Sequence, residues 1–283
     1  IVAGPGSGKT RVITHRIAYL HQSGVYPNKI AAVTFTNRAA KEMRNRLERL
    51  MGDTSQHLSA GTFHSFSAMI LRRDGQTIGI PRDFVIVDDD DQLKLIKQSM
   101  EIAKIDSKRF QPRAILSAIS SAKSRLLGPE GFQAHAQEYF DQIVHNVFSE
   151  YQKLLIQNHG LDFDDLLMKT VELLQNSTEI REKYQHRYHY LMVDEFQDTN
   201  TAQYQIAREI TKSHHNLAVV GDPDQSIYSW RNADITNILS FQTDYPEAKV
   251  VHLSQNYRSS KNILEAAKKV IASNQRRIEN ELF

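Results

Sequence analysis

The segment AGPGSGKT, at positions 3 to 10, constrains the fold of this chain more than any other stretch. The apolar residues before it predict the end of a buried strand, and RVITHRIAYL after it predicts an amphipathic helix. Gly4, Gly6 and Gly8 let the backbone turn tightly, so that successive N–H groups face one anion at the positive end of the helix dipole. The segment therefore predicts a phosphate-binding loop between a strand and a helix.

Two side chains at the end of this loop suit a magnesium nucleotide. Lys9 can reach the β- and γ-phosphates, and the Thr10 hydroxyl lies where Mg²⁺ would sit between them. The usual pattern G-x-x-x-x-G-K-[ST] begins with glycine, whereas this chain has Ala3, a mild departure. An ordinary glycine-rich turn is the alternative interpretation. We predict ATP and Mg²⁺ as cofactors, with loop contacts from Gly4, Pro5, Gly6, Ser7, Gly8, Lys9 and Thr10.

The segment YLMVDEFQD, at positions 190 to 198, supplies the carboxylates that such a loop requires. Its first four residues read as a buried strand. Asp194 at the end of this strand is predicted to hold Mg²⁺ together with Thr10, and Glu195 is predicted to be the general base for the attacking water. A pair of solvated carboxylates at a strand end is the alternative. Together with the loop, this segment predicts ATP hydrolysis.

Strand-like runs alternate with helical segments over much of the chain. The alternation predicts an α/β fold with a parallel sheet and crossover helices. Between about 66 and 188 the pattern is almost entirely helical, which predicts an inserted helical domain; DDDD at 88–91 predicts a helix N-terminus there. The predicted strands lie at 30–35, 58–63, 190–195, 217–222 and 249–253, with a short one at 84–88 inside the insertion.

Composition excludes several classes of protein. The chain has no cysteine, so disulfides and thiolate metal sites are excluded, and a net charge of +2 does not by itself indicate a polyanionic partner. No signal peptide or long apolar run indicates a membrane or export, so we expect a cytoplasmic protein. A strand at residue 1 and the helical pattern SSKNILEAAKKVIASNQRRIENELF at the other end lead us to expect a piece of a longer protein.

Seven motifs together resemble those of a known family. AGPGSGKTR, AVTFTNRAAKEMRNRL, GTFHSF, LDFDDLL, VDEFQDTN, VVGDPDQSIYSWRNAD and LSQNYRSS occur in the order found in superfamily 1 DNA helicases of the UvrD, Rep and PcrA group. The resemblance implies a RecA-like ATP-binding motor lobe at 1–65 and 189–254, interrupted by a DNA-contacting helical domain at 66–188. Residues 255–283 would begin a second motor lobe.

The resemblance also implies roles for nucleotide-binding residues outside the loop. Arg11 would help to hold the nucleotide, and Gln225 in GDPDQ would sense the γ-phosphate. Tyr257 would stack on adenine, and Arg258 would contact the γ-phosphate from the second lobe, where it neutralises charge on the transferring group. A surface arginine beside Ser259 is the alternative for Arg258.

Two other motifs are predicted to contact DNA. TFTN (34–37) and GTFHS (61–65) each follow a strand, at the edge where ligands of parallel sheets bind. Aromatic rings can stack on bases while polar groups contact phosphates, which gives binding that is independent of base sequence. Burial in the core is an equally good interpretation of the two phenylalanines. The predicted contacts are Phe35, Thr36, Asn37, Phe63 and His64.

The only tryptophan, Trp230, lies among polar and turn-forming residues rather than in an apolar run. Because it follows Gln225 by five residues, one short segment would carry the γ-phosphate sensor and a platform on which a base stacks. Tyr228 and Arg231 are predicted to contact DNA beside it, Tyr228 mainly as support for the loop. Packing against the insertion as a core aromatic is the alternative.

Charged clusters in the insertion have less specific interpretations. Between 104 and 125 there are six basic residues and one acidic residue, a net of +5, which suits either duplex DNA or a solvated surface. In LDFDDLL the three aspartates are predicted to cap a helix rather than to bind a metal. The basic residues are Lys104, Lys108, Arg109, Arg113, Lys123 and Arg125, and the aspartates are Asp162, Asp164 and Asp165.

The sequence thus predicts an ATP-dependent DNA helicase that translocates on single strands. The resemblance implies 3′-to-5′ polarity, single-stranded DNA and single/double-strand junctions as ligands, and leaves repair or replication proteins open as partners. Two alternatives stay open: the helicase subunit of a recombination nuclease, and an ATP-switched DNA-binding module that does not unwind.

Overall fold

The computed structural model describes residues 1–274 and 278. Its contacts divide the chain into two compact units, Ile1–Phe66 with Arg181–Phe283 (the sheet unit) and Ser67–Ile180 (the helical unit). In the described residues the strands are β1 (Val2–Ala3), β2 (Ile30–Thr34), β3 (Ser59–Thr62), β4 (Val85–Ile86), β5 (Gly160–Leu161), β6 (Tyr190–Val193), β7 (Leu217–Val219) and β8 (His252–Leu253).

The helices in the same residues are α1 (Lys9–Gln22), α2 (Asn37–Met51), α3 (Phe63–Asp74), α4 (Asp89–Ile102), α5 (Pro112–Ser124), α6 (Pro129–Gln133), α7 (Tyr139–Gln157), α8 (Phe163–Asn176), α9 (Thr178–Arg187), α10 (Thr201–Thr211), α11 (Thr236–Leu239), α12 (Phe241–Asp244) and α13 (Lys261–Ile271). Short 3₁₀ turns at Phe196–Asp198, Pro223–Gln225 and Ser229–Arg231 follow strands β6 and β7.

The sheet unit contains a parallel sheet of four strands in the order β3-β2-β6-β7. Strand β1 pairs in parallel with β8, and a parallel bridge from Val2 to Gly221 places β1 beside the end of β7. Parallel strands need crossover connections, which the intervening helices provide. The predicted α/β fold with parallel strands and many helices is therefore confirmed. The predicted strand at 249–253 is shorter than expected and comprises only His252 and Leu253.

Helices α1 and α2 bury their apolar faces against one core of the sheet unit. Ile13 and Ile17 lie one turn apart on α1, and Met43 and Leu47 have the same spacing on α2. All four are buried and pack with residues of β2 and β6. Because β2 is buried along its whole length, its sequence IAAVT is uniformly apolar before the terminal threonine, as expected for a central parallel strand.

The helical unit has a separate core formed mainly by α4, α5 and α7. Its first long helix, α4, begins where the sequence predicts, because the Asp88 side chain accepts hydrogen bonds from the amides of Asp90 and Asp91. The predicted strand at 84–88 is limited to Val85–Ile86 and pairs in parallel with Gly160–Leu161, a strand that the sequence did not predict. Two residues are too short to produce a recognisable alternation.

The aspartates of LDFDDLL form a cap and a buried ion-pair network within the helical unit. Asp162 caps α8 by accepting a hydrogen bond from the Asp165 amide at 2.7 Å, and Asp165 completes a capping box, which confirms the predicted capping for these two of the three aspartates. Lys123 Nζ contacts Asp162 Oδ2 at 2.7 Å and Asp165 Oδ1 at 2.8 Å, and the Tyr151 hydroxyl donates to Asp162 at 2.9 Å. Burial lowers the pKa of Lys123, but the two carboxylates outweigh it and the pKa is raised.

The prediction of a basic surface at 104–125 is wrong for one residue, Lys123. Lys123 is 0% exposed, so it cannot contribute to a basic surface. Its position on α5 turns it toward the N-terminus of α8, where its charge is neutralised by carboxylates. The other five basic residues at 104–125 are exposed.

Among the described residues, no helix is long and apolar enough to cross a membrane. The helical pattern predicted at the C-terminal end is present as α13, Lys261–Ile271. The remainder of that pattern, at 275–277 and 279–283, lies outside the described residues.

Candidate active site

The loop between β1 and α1 is a tight turn that leads directly into the helix N-terminus. The Ser7 hydroxyl donates to the Gly4 carbonyl at 2.7 Å, and α1 begins at Lys9. Gly6 has φ +69°, and a Cβ atom there would lie 2.7 Å from the Arg258 Cβ and 2.8 Å from the Asn256 side chain. Glycine is thus required at position 6 both for its backbone conformation and for the close approach of 256–258.

Lys9 and Thr10, the first two residues of α1, lie close to carboxylates at the sheet edge. Lys9 Nζ donates to the Ala3 carbonyl at 3.3 Å and lies close enough to Asp194 and Asp222 to stabilise their charged forms. The Thr10 side chain hydrogen-bonds Asp194. The structure therefore brings together the loop and the carboxylate that the sequence assigned to one metal site.

Asp194 and Glu195 follow β6, at the C-terminal edge of the parallel sheet. The Asp194 amide continues the sheet by donating to Val33 O at 2.9 Å. Burial and then the charge of Glu195 raise the pKa of Asp194 to about 6, although the Thr10 hydrogen bond opposes this shift. Glu195 adopts a left-handed conformation, φ 51° and ψ 46°, in which its amide donates to Asp194 Oδ1 at 3.0 Å. A non-glycine residue in this conformation is strained, a feature that clusters at functional sites.

The segment after β7 brings Gln225 to the same edge. Pro223–Gln225 forms a 3₁₀ turn that Asp222 caps by accepting from the Asp224 amide at 3.1 Å. The Gln225 side chain donates to the other oxygen of the Asp222 carboxylate. Burial raises the pKa of Asp222, and the Gln225 hydrogen bond and the charge of Lys9 oppose the shift. Gln225 and the loop lysine thus converge on one carboxylate.

Residues 256–258 contact the glycine-rich loop before α1 through Asn256, a residue that the sequence motifs did not single out. Its Nδ2 donates to Pro5 O, and its Oδ1 accepts from the amides of Arg258 and Ser259 at 2.8 and 2.7 Å. The Tyr257 amide donates to Gly6 O at 3.0 Å. The side chains of Tyr257 and Arg258 are exposed beside the loop. The only feature of the sequence that could have indicated Asn256 is its position directly before the predicted ligands Tyr257 and Arg258.

An aromatic cluster lies on the segment that continues from Gln225. Trp230 is 69% exposed, which excludes a role as a core aromatic in this structure. Tyr228 lies between two other rings, with its centroid 4.7 Å from that of Phe35 and 6.1 Å from that of Trp230, and both pairs are tilted. The Arg231 guanidinium lies over the Trp230 ring, 4.7 Å from its centroid. We call Phe35, Tyr228, Trp230 and Arg231 the aromatic cluster.

The remaining predicted DNA contacts differ in exposure: Thr36 and Asn37 are exposed, His64 is half-buried and Phe63 is buried. Thr36 and Asn37 are exposed at the start of α2, where the Thr36 side chain caps the helix by accepting from the Ala39 amide at 3.1 Å. Burial lowers the pKa of His64 to about 4, so this side chain is neutral at physiological pH. Phe63 is 2% exposed, and its ring cannot reach a base; the predicted contact is corrected to a core position, because α3 begins at this residue and turns the ring inward.

Comparison with known proteins identifies the family. Residues 1–246 match the family model described as the UvrD/REP helicase N-terminal domain. The chain is 51% identical to the ATP-dependent DNA helicase PcrA of Bacillus subtilis over 284 residues, and 52% identical to that of Staphylococcus epidermidis over 278 residues. These alignments cover 100% and 98% of the chain but only 38% of each helicase. On this match and the ordered motifs, the chain belongs to the UvrD/REP helicase family.

Proposed function

We propose that the complete gene product containing these residues is an ATP-dependent DNA helicase that translocates on single strands. One observation carries the proposal: the glycine-rich loop before α1, the Asp194–Glu195 pair and Gln225 meet at one sheet edge, and the exposed Trp230 lies on the segment that follows Gln225. The curated relatives named ATP-dependent DNA helicase PcrA support the same activity.

Within the sheet unit, residues 1–65 and 189–254 are proposed to form a RecA-like ATP-binding lobe. The loop amides and Lys9 would hold the phosphates, with Arg11 beside them, because the N-terminus of α1 favours anions. Residues 255–283 are proposed to begin a second lobe, from which Tyr257 would stack on adenine and Arg258 would neutralise the γ-phosphate. Asn256, which ties this segment to Pro5, supports that placement.

Thr10 and Asp194 suit a magnesium ion. They present a hydroxyl and a buried carboxylate, oxygen ligands of the kind that Mg²⁺ prefers, and they already contact each other. A bound Mg²⁺ would offset charge on the β- and γ-phosphates during transfer. Within this arrangement, Glu195 would orient the attacking water and accept its proton, while Gln225 would contact the γ-phosphate.

The DNA path is proposed to run over the aromatic cluster together with Thr36, Asn37 and His64. Base–aromatic stacking tolerates every base, which a translocating motor requires. The helical unit is proposed to be an inserted DNA-contacting domain, and its five exposed basic residues at 104–125 suit a duplex backbone. By the family resemblance, single/double-strand junctions would be the substrate and 3′-to-5′ the polarity.

The first test is ATP hydrolysis by the complete gene product with and without single-stranded DNA. We expect Mg²⁺-dependent, DNA-stimulated hydrolysis, and a loss of about 10²-fold or more in kcat for Lys9→Ala and for Glu195→Gln. Nucleotide binding should survive better in Glu195→Gln, because the glutamate acts on water rather than on phosphate. Lys41→Ala and Glu48→Gln, both on the exposed face of α2, are matched controls that should hydrolyse normally.

The outcomes separate the proposal from its alternatives. DNA-stimulated hydrolysis that survives both changes at the loop and Glu195 would contradict the ATPase assignment. Hydrolysis without strand separation on a tailed duplex would indicate an ATP-switched DNA-binding module instead. A nuclease activity that accompanies unwinding would indicate the helicase subunit of a recombination nuclease.

A further inference from the structure

Gln197 is a buried side chain beside the proposed general base, and the mechanism above gives it no role. It lies in the 3₁₀ turn Phe196–Asp198, directly after the strained Glu195, and is 1% exposed. Its Nε2 donates to Glu195 Oε2 at 2.9 Å and to Asp198 Oδ2 at 3.3 Å. Its Oε1 accepts from the Asp222 amide at 3.0 Å. One carboxamide thus connects the segment after β6 with the turn after β7.

The orientation of this carboxamide follows from its partners. Carboxylates only accept hydrogen bonds and a backbone amide only donates, so the NH₂ group must face Glu195 and Asp198 while the oxygen faces Asp222. Rotation of the amide by half a turn would place oxygen against two carboxylates and NH₂ against an N–H group. The side chain therefore has one arrangement that satisfies all its neighbours.

Packing also holds Gln197 in place. A Cβ atom at Gly221 would lie 2.7 Å from Gln197 Oε1 and 3.3 Å from its backbone nitrogen, so glycine is needed for the two segments to approach this closely. The Gln197 carbonyl accepts from the Ser226 hydroxyl at 3.4 Å on the far side of the same turn. Asp222, which precedes Gln225, and Ser226, which follows it, therefore both hydrogen-bond to Gln197.

A continuous set of hydrogen bonds joins Glu195 to Gln225 through Gln197. It runs from the Glu195 carboxylate to the Gln197 carboxamide, then to the Asp222 amide, while the Asp222 carboxylate accepts from Gln225. We infer that Gln197 is a positioning residue for ATP hydrolysis, which fixes the Glu195 carboxylate relative to the turn that carries Gln225. This inference rests on the proposed function, in which Glu195 orients water and Gln225 contacts the γ-phosphate.

The direct test is steady-state kinetics of Gln197→Met in the complete gene product. Methionine keeps the length and apolar volume of the side chain but removes the carboxamide, so Glu195 loses its donor and is free to move. A misplaced general base costs catalysis rather than binding, and we expect kcat with saturating single-stranded DNA to fall about tenfold to a hundredfold. The KM for ATP should change less than about threefold.

A matched control separates positioning from general loss of stability. Gln185 on α9 is also a buried glutamine of the sheet unit, and its Nε2 donates to the Glu209 carbonyl at 2.8 Å, away from the site. Gln185→Met should therefore also lower the unfolding temperature, because a buried hydrogen bond is lost, while leaving kcat near the wild-type value. If Gln197→Met does not fold, Gln197→Asn keeps a polar amide that is one methylene too short to contact Glu195 and the Asp222 amide together, and it should show the same fall in kcat with retained KM.

The failure of this inference differs from failure of the proposed function. A wild-type protein without DNA-stimulated hydrolysis would overturn the proposed function. A wild-type protein with that activity, together with an unchanged kcat in the folded Gln197 variant, would overturn the positioning role alone. A tenfold or larger rise in the KM for ATP with unchanged kcat would also overturn the positioning role, because it would place Gln197 in substrate binding.

Discussion

Trp230 is a large apolar side chain that the protein leaves in water. Single exposed aromatic residues are common, but a group of neighbouring aromatic side chains that includes an exposed tryptophan is a feature of binding surfaces. The Tyr228 ring neighbours the Trp230 ring, Phe35 contacts Tyr228 in turn, and the Arg231 guanidinium lies over the Trp230 ring. The aromatic cluster therefore presents a preorganised surface for a base, and Arg231 adds a positive charge that can contact a phosphate.

Replacement of Trp230 by alanine should weaken the affinity for single-stranded DNA about tenfold, because stacking contributes about 1–3 kcal/mol per base. Thermal unfolding should hardly change, since the ring is exposed. Tyr19→Ala, which removes another exposed aromatic ring, from α1, is the matched control and should bind DNA normally. Binding is measured by fluorescence anisotropy of a labelled oligonucleotide.

Intrinsic fluorescence gives an independent measurement of the same contact, because Trp230 is the only tryptophan of this chain. Saturating single-stranded DNA should protect the indole from acrylamide quenching, once tryptophans elsewhere in the gene product are replaced. Unchanged emission and quenching would show that no base stacks on this ring.

Helices α5 and α8 are joined by a charge network that lies inside the core of the helical unit. Lys123 Nζ is between the carboxylates of Asp162 and Asp165, and its charge also lies 5.1 Å from the centroid of the Tyr151 ring. Buried ion pairs are rarely a large net gain in stability, but a partner left alone in the core is strongly destabilising. The network thus makes the packing of these two helices depend on one lysine.

Lys123→Ala should lower the free energy of unfolding of the helical unit by about 3–5 kcal/mol, because two buried carboxylates lose their counter-charge. Lys108→Ala, which removes an exposed lysine of the same unit, should change it by no more than about 0.5 kcal/mol. Urea denaturation followed by circular dichroism measures both. Equal effects of the two changes would contradict the importance of the network.

The chain contains two compact units with separate apolar cores. One core belongs to α1, α2 and the parallel strands, and the other to α4, α5 and α7. A local loss of packing should therefore remain within the unit that suffers it, as is usual when cores unfold as separate cooperative units.

Hydrogen exchange of Lys123→Ala tests this independence. Backbone amides of peptides from 67–180 should exchange faster than in the wild type, whereas peptides from β2, β6 and α10 should keep their protection. DNA-independent ATP hydrolysis should also be retained. Faster exchange throughout the sheet unit would show that the two cores unfold together.

The family, the α/β fold and the segments that meet at the proposed nucleotide site were predictable from the sequence, because each depends on local chemistry. Three features act within a few residues of where they occur. They are the glycines in AGPGSGKT, the carboxylate pair after the apolar run 190–193, and the capping aspartates at 88 and 162. The same locality explains why the short strands were mispredicted: β5 and β8 have two residues each, and their partners are distant in sequence.

Only the tertiary structure decided which side chains meet and which are buried. Charge alone could not distinguish Lys123, which is neutralised by carboxylates 39 residues or more along the chain, from its exposed basic neighbours. The burial of Phe63 and the exposure of Trp230 likewise depend on packing rather than on residue type. We infer a role for Gln197 only because the turn after β7 brings the Asp222 amide to the Gln197 carboxamide. These residues are 25 positions apart, and no local sequence pattern encodes their contact.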